Sequence, residues 1–178
     1  DVVKVEDPRG GDPVRWFQPM IGSMGAIFAS LNRNKRSVAI DLKQPDGAAL
    51  LAELLGTADV LVESFRPGVL ARLGFPDERL ERDFPRLVAC SISGFGQTGP
   101  CRDRAGHDLT YLAMSGMLSL TGTPETPVIP FPPICDYAAG KQAVTAILAA
   151  LLRRGKTGQG AFIDVSLFEM ALSWQSFA

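Results

Sequence analysis

Leu87-Val88-Ala89-Cys90-Ser91-Ile92-Ser93-Gly94-Phe95-Gly96-Gln97-Thr98-Gly99-Pro100 is the stretch that decides how this chain of 178 residues is read. Leu87 to Ile92 is a short apolar run of strand length. The three glycines beyond it let a backbone approach a ligand closely, although a plain flexible turn fits the same residues. Working outward, Val60-Leu61-Val62-Glu63 is a second short strand, apolar enough to be buried on both faces as in a parallel sheet. A short helix over Asp77 to Asp83 separates the two. Before them, Ser37 to Leu42 reads as a strand, followed by a helix that opens at Pro45 and closes at Gly56. Val2 to Val5 is a strand ended by the turn chemistry of Asp7 to Pro13. The stretch Val14 to Asn34 is read mostly as loop, with Trp16, Phe17, Met20, Ile21, Met24, Ile27, Phe28 and Leu31 expected to cover something apolar. Downstream, Tyr137 to Leu152 predicts a largely buried helix, and a helical pattern runs from Leu167 to Phe177. Strands alternating with helices imply an α/β fold, a doubly wound parallel sheet whose site lies along the loops at the strand C-termini.

Composition narrows the function classes. Hydrophobic residues make up 46% and charged residues 21%, with 18 Lys and Arg against 19 Asp and Glu, which is ordinary for a globular protein. The basic residues are scattered, and Lys35-Arg36 and Arg153-Arg154 are the adjacent pairs, so no concentrated basic face for nucleic acid is expected. Apolar runs fall short of the roughly 18 residues a membrane span requires. Cys90, Cys101 and Cys135 lack metal-ligand spacing; they are read as reduced thiols of a cytoplasmic protein, with a catalytic cysteine as the alternative. The chain opens in what reads as a strand and stops inside a helical pattern, which leads us to expect a fragment.

Three places carry candidate chemistry. His107, the single histidine, lies in Gly106-His107-Asp108 at the entrance to the amphipathic segment Leu109 to Leu120. Histidine titrates near neutrality, so this one, with the Asp108 carboxylate beside it, is a candidate general acid/base; equally, Asp108 fits an N-cap. Asp136 follows the proline-rich Pro132-Pro133 and opens the long helix. There a carboxylate meets the positive helix end and unpaired N–H groups, either as a cap or beside donors able to stabilise a substrate oxyanion. Arg66 and Arg72 flank the Pro67-Gly68 turn after a strand, a placement suited to phosphates.

Five motifs in order then resemble the family III CoA-transferase superfamily of CaiB/BaiF type, which includes formyl-CoA and carnitine CoA-transferases and α-methylacyl-CoA racemases. They are Val3-Lys4-Val5-Glu6, Asn34 to Lys43, Glu63-Ser64-Phe65-Arg66-Pro67-Gly68, Ser93 to Pro100, and Lys156-Thr157-Gly158-Gln159-Gly160. The resemblance implies that residues 1–178 are a CoA-binding Rossmann-like large domain, incomplete, with its first strand and the second domain missing. It also implies an acyl-CoA substrate, no cofactor beyond coenzyme A as part of that substrate, and an interlocked homodimer at full length. Arg15, Phe65, Arg66 and Arg72 would lie near the CoA nucleotide and phosphates. Asp136 takes the place of the aspartate that forms an acyl anhydride in the transferases and of a catalytic aspartate in the racemases.

His107 separates two chemistries. Gly106-His107-Asp108 followed by Ser115-Gly116 is similar to the racemases, whereas transferases usually carry tyrosine at the histidine position. Racemisation is therefore placed first, with His107 and Asp136 as bases on opposite faces of the α-carbon. Two departures count against it: Tyr137-Ala138-Ala139-Gly140 replaces the racemases' phenylalanine and glycines, and their partner glutamate would lie beyond Ala178. CoA transfer through an Asp136 anhydride is the alternative, and a CoA-binding module without catalysis is the third reading. Trp16, Phe17, Met20, Met114 and Met117 are expected to shape the acyl pocket.

Overall fold

A computed structural model of the protein describes residues 1–176, which fall into two compact units divided between Gly56 and Thr57. The first unit opens with β1 (Val2–Glu6) and a single 3-10 turn at Pro13–Trp16. A small antiparallel hairpin of β2 (Met20–Ile21) and β3 (Met24–Gly25) leads into α1 (Ala26–Leu31), β4 (Lys35–Ala39) and α2 (Pro45–Thr57). β1 and β4 pair in parallel, Val5 opposite Val38. The stretch read as mostly loop is thus a hairpin and a helix. Nor does it bury its apolar side chains: Trp16 is 63% exposed and Ile21 64%, while Phe28 alone of that set is buried. Backbone packing holds the segment instead, with Gly25 lying where any Cβ would meet the Val14 carbonyl oxygen at 2.6 Å.

Phe28 is covered by a charge pair. The Glu6 carboxylate, buried in β1, accepts from Arg15 Nε at 2.8 Å and Nη2 at 2.7 Å, from Ser37 Oγ at 2.7 Å and from the Asp12 N–H at 2.9 Å. The Arg15 guanidinium lies 4.0 Å from the Phe28 ring centre. These donors, Arg15 above all, pull the Glu6 carboxyl down to about 2 against the opposing effect of burial.

The second unit carries β5 (Val60–Glu63), α3 (Val69–Arg72), α4 (Asp77–Asp83), β6 (Val88–Ser93), α5 (Asp108–Ser115), the hairpin β7 (Gly122–Thr123) and β8 (Thr126–Pro127), α6 (Ile134–Thr157), β9 (Ala161–Ser166) and α7 (Leu167–Ser173). Phe177, the expected end of the last helix, lies outside the described residues. Its sheet is parallel in the order β5-β6-β9, with β6 central. Val88 and Cys90 of β6 are 0% and 1% exposed. β5 departs from the expectation of burial on both faces, because it is an edge strand of this sheet and Val62 stays 53% exposed. α6 lies across the sheet through small residues, Ala139 and Ala143 packing with Cys90 and Val165. Small side chains allow the close approach, but they occupy one stripe only. Tyr137, Val144, Leu148 and Leu152 on α6 are exposed, so the helix is half-buried rather than largely buried. At its far end Arg154 bonds the Asp59 carboxylate at 2.7 Å and the Arg86 carbonyl at 3.0 Å.

The Glu6 pair makes the first unit acid-sensitive. A carboxyl held at about 2 against its ordinary 4.5 contributes on the order of 3 kcal/mol at neutral pH. Being a lowered carboxyl, it adds its full stability above 4.5 and loses it as pH falls from 4.5 towards about 2. Denaturant unfolding should show Glu6→Gln destabilised at pH 7, with the gap to wild type closing across that window.

Candidate active site

The site of the second unit is assembled by one carboxylate that joins two helix starts. His107 is the N-cap of α5, and its backbone N–H donates to the Thr110 hydroxyl at 3.3 Å. Asp108, the first helical residue, does not cap its own helix as one reading of the sequence expected. Its Oδ1 instead accepts from the N–H groups of Cys135 at 2.6 Å and Asp136 at 3.1 Å, capping α6 across 27 residues of chain. This also corrects the expectation that those N–H groups stand free to stabilise a substrate oxyanion. They are occupied.

Asp136 is the third residue of α6 and its side chain is exposed. Burial of its inner side and repulsion from Asp108 push its carboxyl above the ordinary value of 3.8, while His107 draws it back. The structure thus brings His107, Asp108 and Asp136 within electrostatic reach of one another. Cys135, beside Asp136, is 0% exposed, and its thiol is pushed up to about 12 by burial and by the neighbouring Asp108 and Asp136 carboxylates. Cys90, Cys101 and Cys135 are all free.

Beneath these groups lies a small apolar core of Phe95, Tyr111, Leu112, Met117, Cys135 and Ala171. Met117, expected in the acyl pocket, is buried in this core, whereas Met114 is 43% exposed. Tyr111 was not singled out in the sequence. Its ring meets Phe95 edge-on at 5.2 Å, and its phenol end occupies the space that side chains at Gly94 and Gly106 would fill, with a Cβ on Gly106 meeting its ring at 2.7 Å. Both glycines are therefore required by the tyrosine.

The glycine-rich loop after β6 is held from β9 and α7. The Gln97 N–H donates to Asp164 Oδ2 at 2.8 Å, and the Phe168 N–H donates to the Gly94 carbonyl at 3.0 Å. Among the described residues, the Ser93 hydroxyl and the Gln97 side-chain nitrogen are buried without a hydrogen-bond partner. Such unmatched groups at a strand C-terminus suit a ligand. Only the loop as a whole was legible as a ligand site.

The remaining candidates sit elsewhere. Phe65 is 40% exposed and follows β5, its N–H held by Glu63 at 2.7 Å. Gly68 turns the chain in left-handed conformation, φ 75°, into α3, which ends at Arg72. Arg66 and Arg72 are exposed and enter no ion pair among the described residues. Arg15 belongs to the first unit, where Nε and Nη2 are committed to Glu6.

An exposed carboxylate at a helix start, on a parallel α/β fold, defines a class of site suited to covalent or acid/base chemistry. The family model described as CoA-transferase family III matches residues 1–178, and the chain belongs to that family. It is 42% identical over 170 residues to the succinyl-CoA:glutarate CoA-transferase of Homo sapiens, covering 94% of this chain and 39% of that protein. Identity to the acetyl-CoA:oxalate CoA-transferase of Acetobacter aceti is 40% over 178 residues, covering 99% and 46%. The fold matches the crystal structure of a CAIB/BAIF family protein from Brucella suis with TM-score 0.93 and 37% identity, covering 99% of this chain and 48% of that one. The chain thus spans less than half the length of these relatives. No helix among the described residues is long and apolar enough to cross a membrane.

The shared cap separates charge from geometry. Asp108→Asn keeps an acceptor for both N–H groups but removes the repulsion, so NMR titration should find the Asp136 pKa lowered. Asp108→Ala removes the acceptor as well and should cost about 1 kcal/mol in chemical denaturation.

Proposed function

We propose that the full-length protein transfers CoA between an acyl-CoA and a carboxylic acid, with Asp136 as nucleophile. The observation that carries this reading is the exposed Asp136 carboxylate at the start of α6 in a chain whose similar relatives are named CoA-transferases. An Asp136 oxygen attacks the thioester carbonyl carbon, the C–S bond breaks and CoA leaves as thiolate, giving an aspartyl anhydride. The acceptor carboxylate then attacks the acyl carbon of that anhydride and releases the donor acyl group as a mixed anhydride with the acceptor. The Asp136 carboxylate thereby returns as leaving group and next attacks the acceptor's carbonyl carbon, expelling the donor acid. CoA thiolate finally attacks this acceptor anhydride, yielding the new thioester and free Asp136. His107 orients the thioester.

Proton transfer at the α-carbon, placed first from the sequence, becomes the second reading. The specific observation in its favour is that His107 opens α5 next to Asp108, whose carboxylate accepts from the Asp136 N–H, so that both candidate bases stand at joined helix starts. On either reading CoA enters as part of the acyl-CoA substrate with no separate cofactor. Phe65, Arg66 and Arg72 take its nucleotide and phosphates. Two full-length chains pair as an interlocked dimer in the cytoplasm. The isolated 178 residues would serve only as a CoA-binding module.

Full-length Asp136→Asn should lose CoA transfer and show no acyl-enzyme by intact mass, because an amide does not form the anhydride. His107→Ala should keep transfer. If α-deuterium exchange without an acceptor runs at full rate in wild type and drops by about 10²- to 10⁴-fold in His107→Ala, the proton-transfer reading replaces it. At the CoA end, Arg66→Ala and Arg72→Ala should each weaken CoA binding by about 1.5 to 3 kcal/mol, read by calorimetry, with the fold unchanged.

A further inference from the structure

We propose that the Tyr111 phenol is a further catalytic group, donating a hydrogen bond to the substrate oxygen that becomes negative when Asp136 attacks the thioester. The proposal rests on the reading of Asp136 as nucleophile and asks which donor of this chain serves the oxyanion. The two N–H groups closest in sequence are taken by Asp108 Oδ1, at 2.6 and 3.1 Å. An addition step at a carbonyl carbon needs a donor already in place where the charge develops. Tyr111 has the attributes of one. It is 5% exposed and held edge-on against Phe95, so its direction is set by packing. Its phenol end is admitted by Gly94 and Gly106, both of which lack the side chain that would exclude it.

No hydrogen bond within the protein occupies the hydroxyl among the described residues, and the ring shares its buried core with Cys135, the residue next to Asp136. Burial, helped by the Asp136 charge, raises the Tyr111 pKa above its ordinary 10.0. The phenol therefore stays protonated, and able to donate, at neutral pH. The hydroxyl proton remains on the tyrosine throughout: its hydrogen bond stabilises the tetrahedral oxyanion and weakens as the carbonyl reforms and the C–S bond breaks.

The test compares full-length wild type, Tyr111→Phe and Asp136→Asn. Phenylalanine keeps the ring and its contact with Phe95, so Tm and the KM for acyl-CoA should hold while kcat falls about 10²- to 10³-fold. Acyl-enzyme formation in single turnover should slow by the same factor. Replacing Tyr111 by 3-fluorotyrosine, a more acidic phenol, should move the alkaline limb of kcat to lower pH, a shift that a packing role does not produce. A wild-type kcat in Tyr111→Phe, with Asp136→Asn inactive, overturns the role of the phenol and leaves the nucleophile standing. Transfer that persists in Asp136→Asn overturns the nucleophile itself, and this proposal with it.

Discussion

One carboxylate oxygen, Asp108 Oδ1, ties the start of α5 to the start of α6, and the candidate site depends on that tie. A helix start leaves N–H groups without partners. Filling them from another helix fixes the two starts relative to each other as no cap from within α6 would. His107 and Asp136 are neighbours for this reason, although 28 residues separate Asp108 from Asp136 in the chain. The same charge that fixes the geometry adds to the burial that raises the Asp136 carboxyl, so one group bears on both position and protonation.

The first unit uses its own buried carboxylate in the opposite sense. Glu6 gathers four donor contacts and is held ionised, whereas Asp136 has an exposed side chain, a neighbouring carboxylate and a raised pKa. Donor count explains the contrast. Glu6 fixes Arg15 in place, and fixation of this kind is compatible with phosphate binding only through the guanidinium edge that Glu6 leaves unused. Arg66 and Arg72, free of ion pairs among the described residues, carry no such restriction.

What the sequence made legible was whatever chemistry is local. Val60–Glu63 and Asp77–Asp83 have the bounds that short apolar runs and first-turn acids predict. Asp136 at a helix start was legible for the same reason, since Pro132 and Pro133 announce it. β9 (Ala161–Ser166) was not read, because Asp164 interrupts its apolar run, and Asp164 is the residue that holds Gln97. Nor does a sequence reveal that Asp108 caps a different helix or that Tyr111 needs glycine at positions 94 and 106, since both are facts about residues meeting through space. Met117 and the exposed face of α6 were misjudged from the other direction: apolar character says that a side chain prefers burial, and not which surface is there to bury it.

Cys135 has a bearing on chemical selectivity. An aspartyl anhydride is a strong acylating agent, and a thiolate one residue away would capture its acyl group in a dead-end thioester. The Cys135 thiol is fully buried in the core and held protonated up to about pH 12, and only the thiolate is a competent nucleophile. Burial in the core, reinforced by the two neighbouring carboxylates, is what keeps this thiol unreactive. An acyl group carried on Asp136 would be left to the incoming substrate alone.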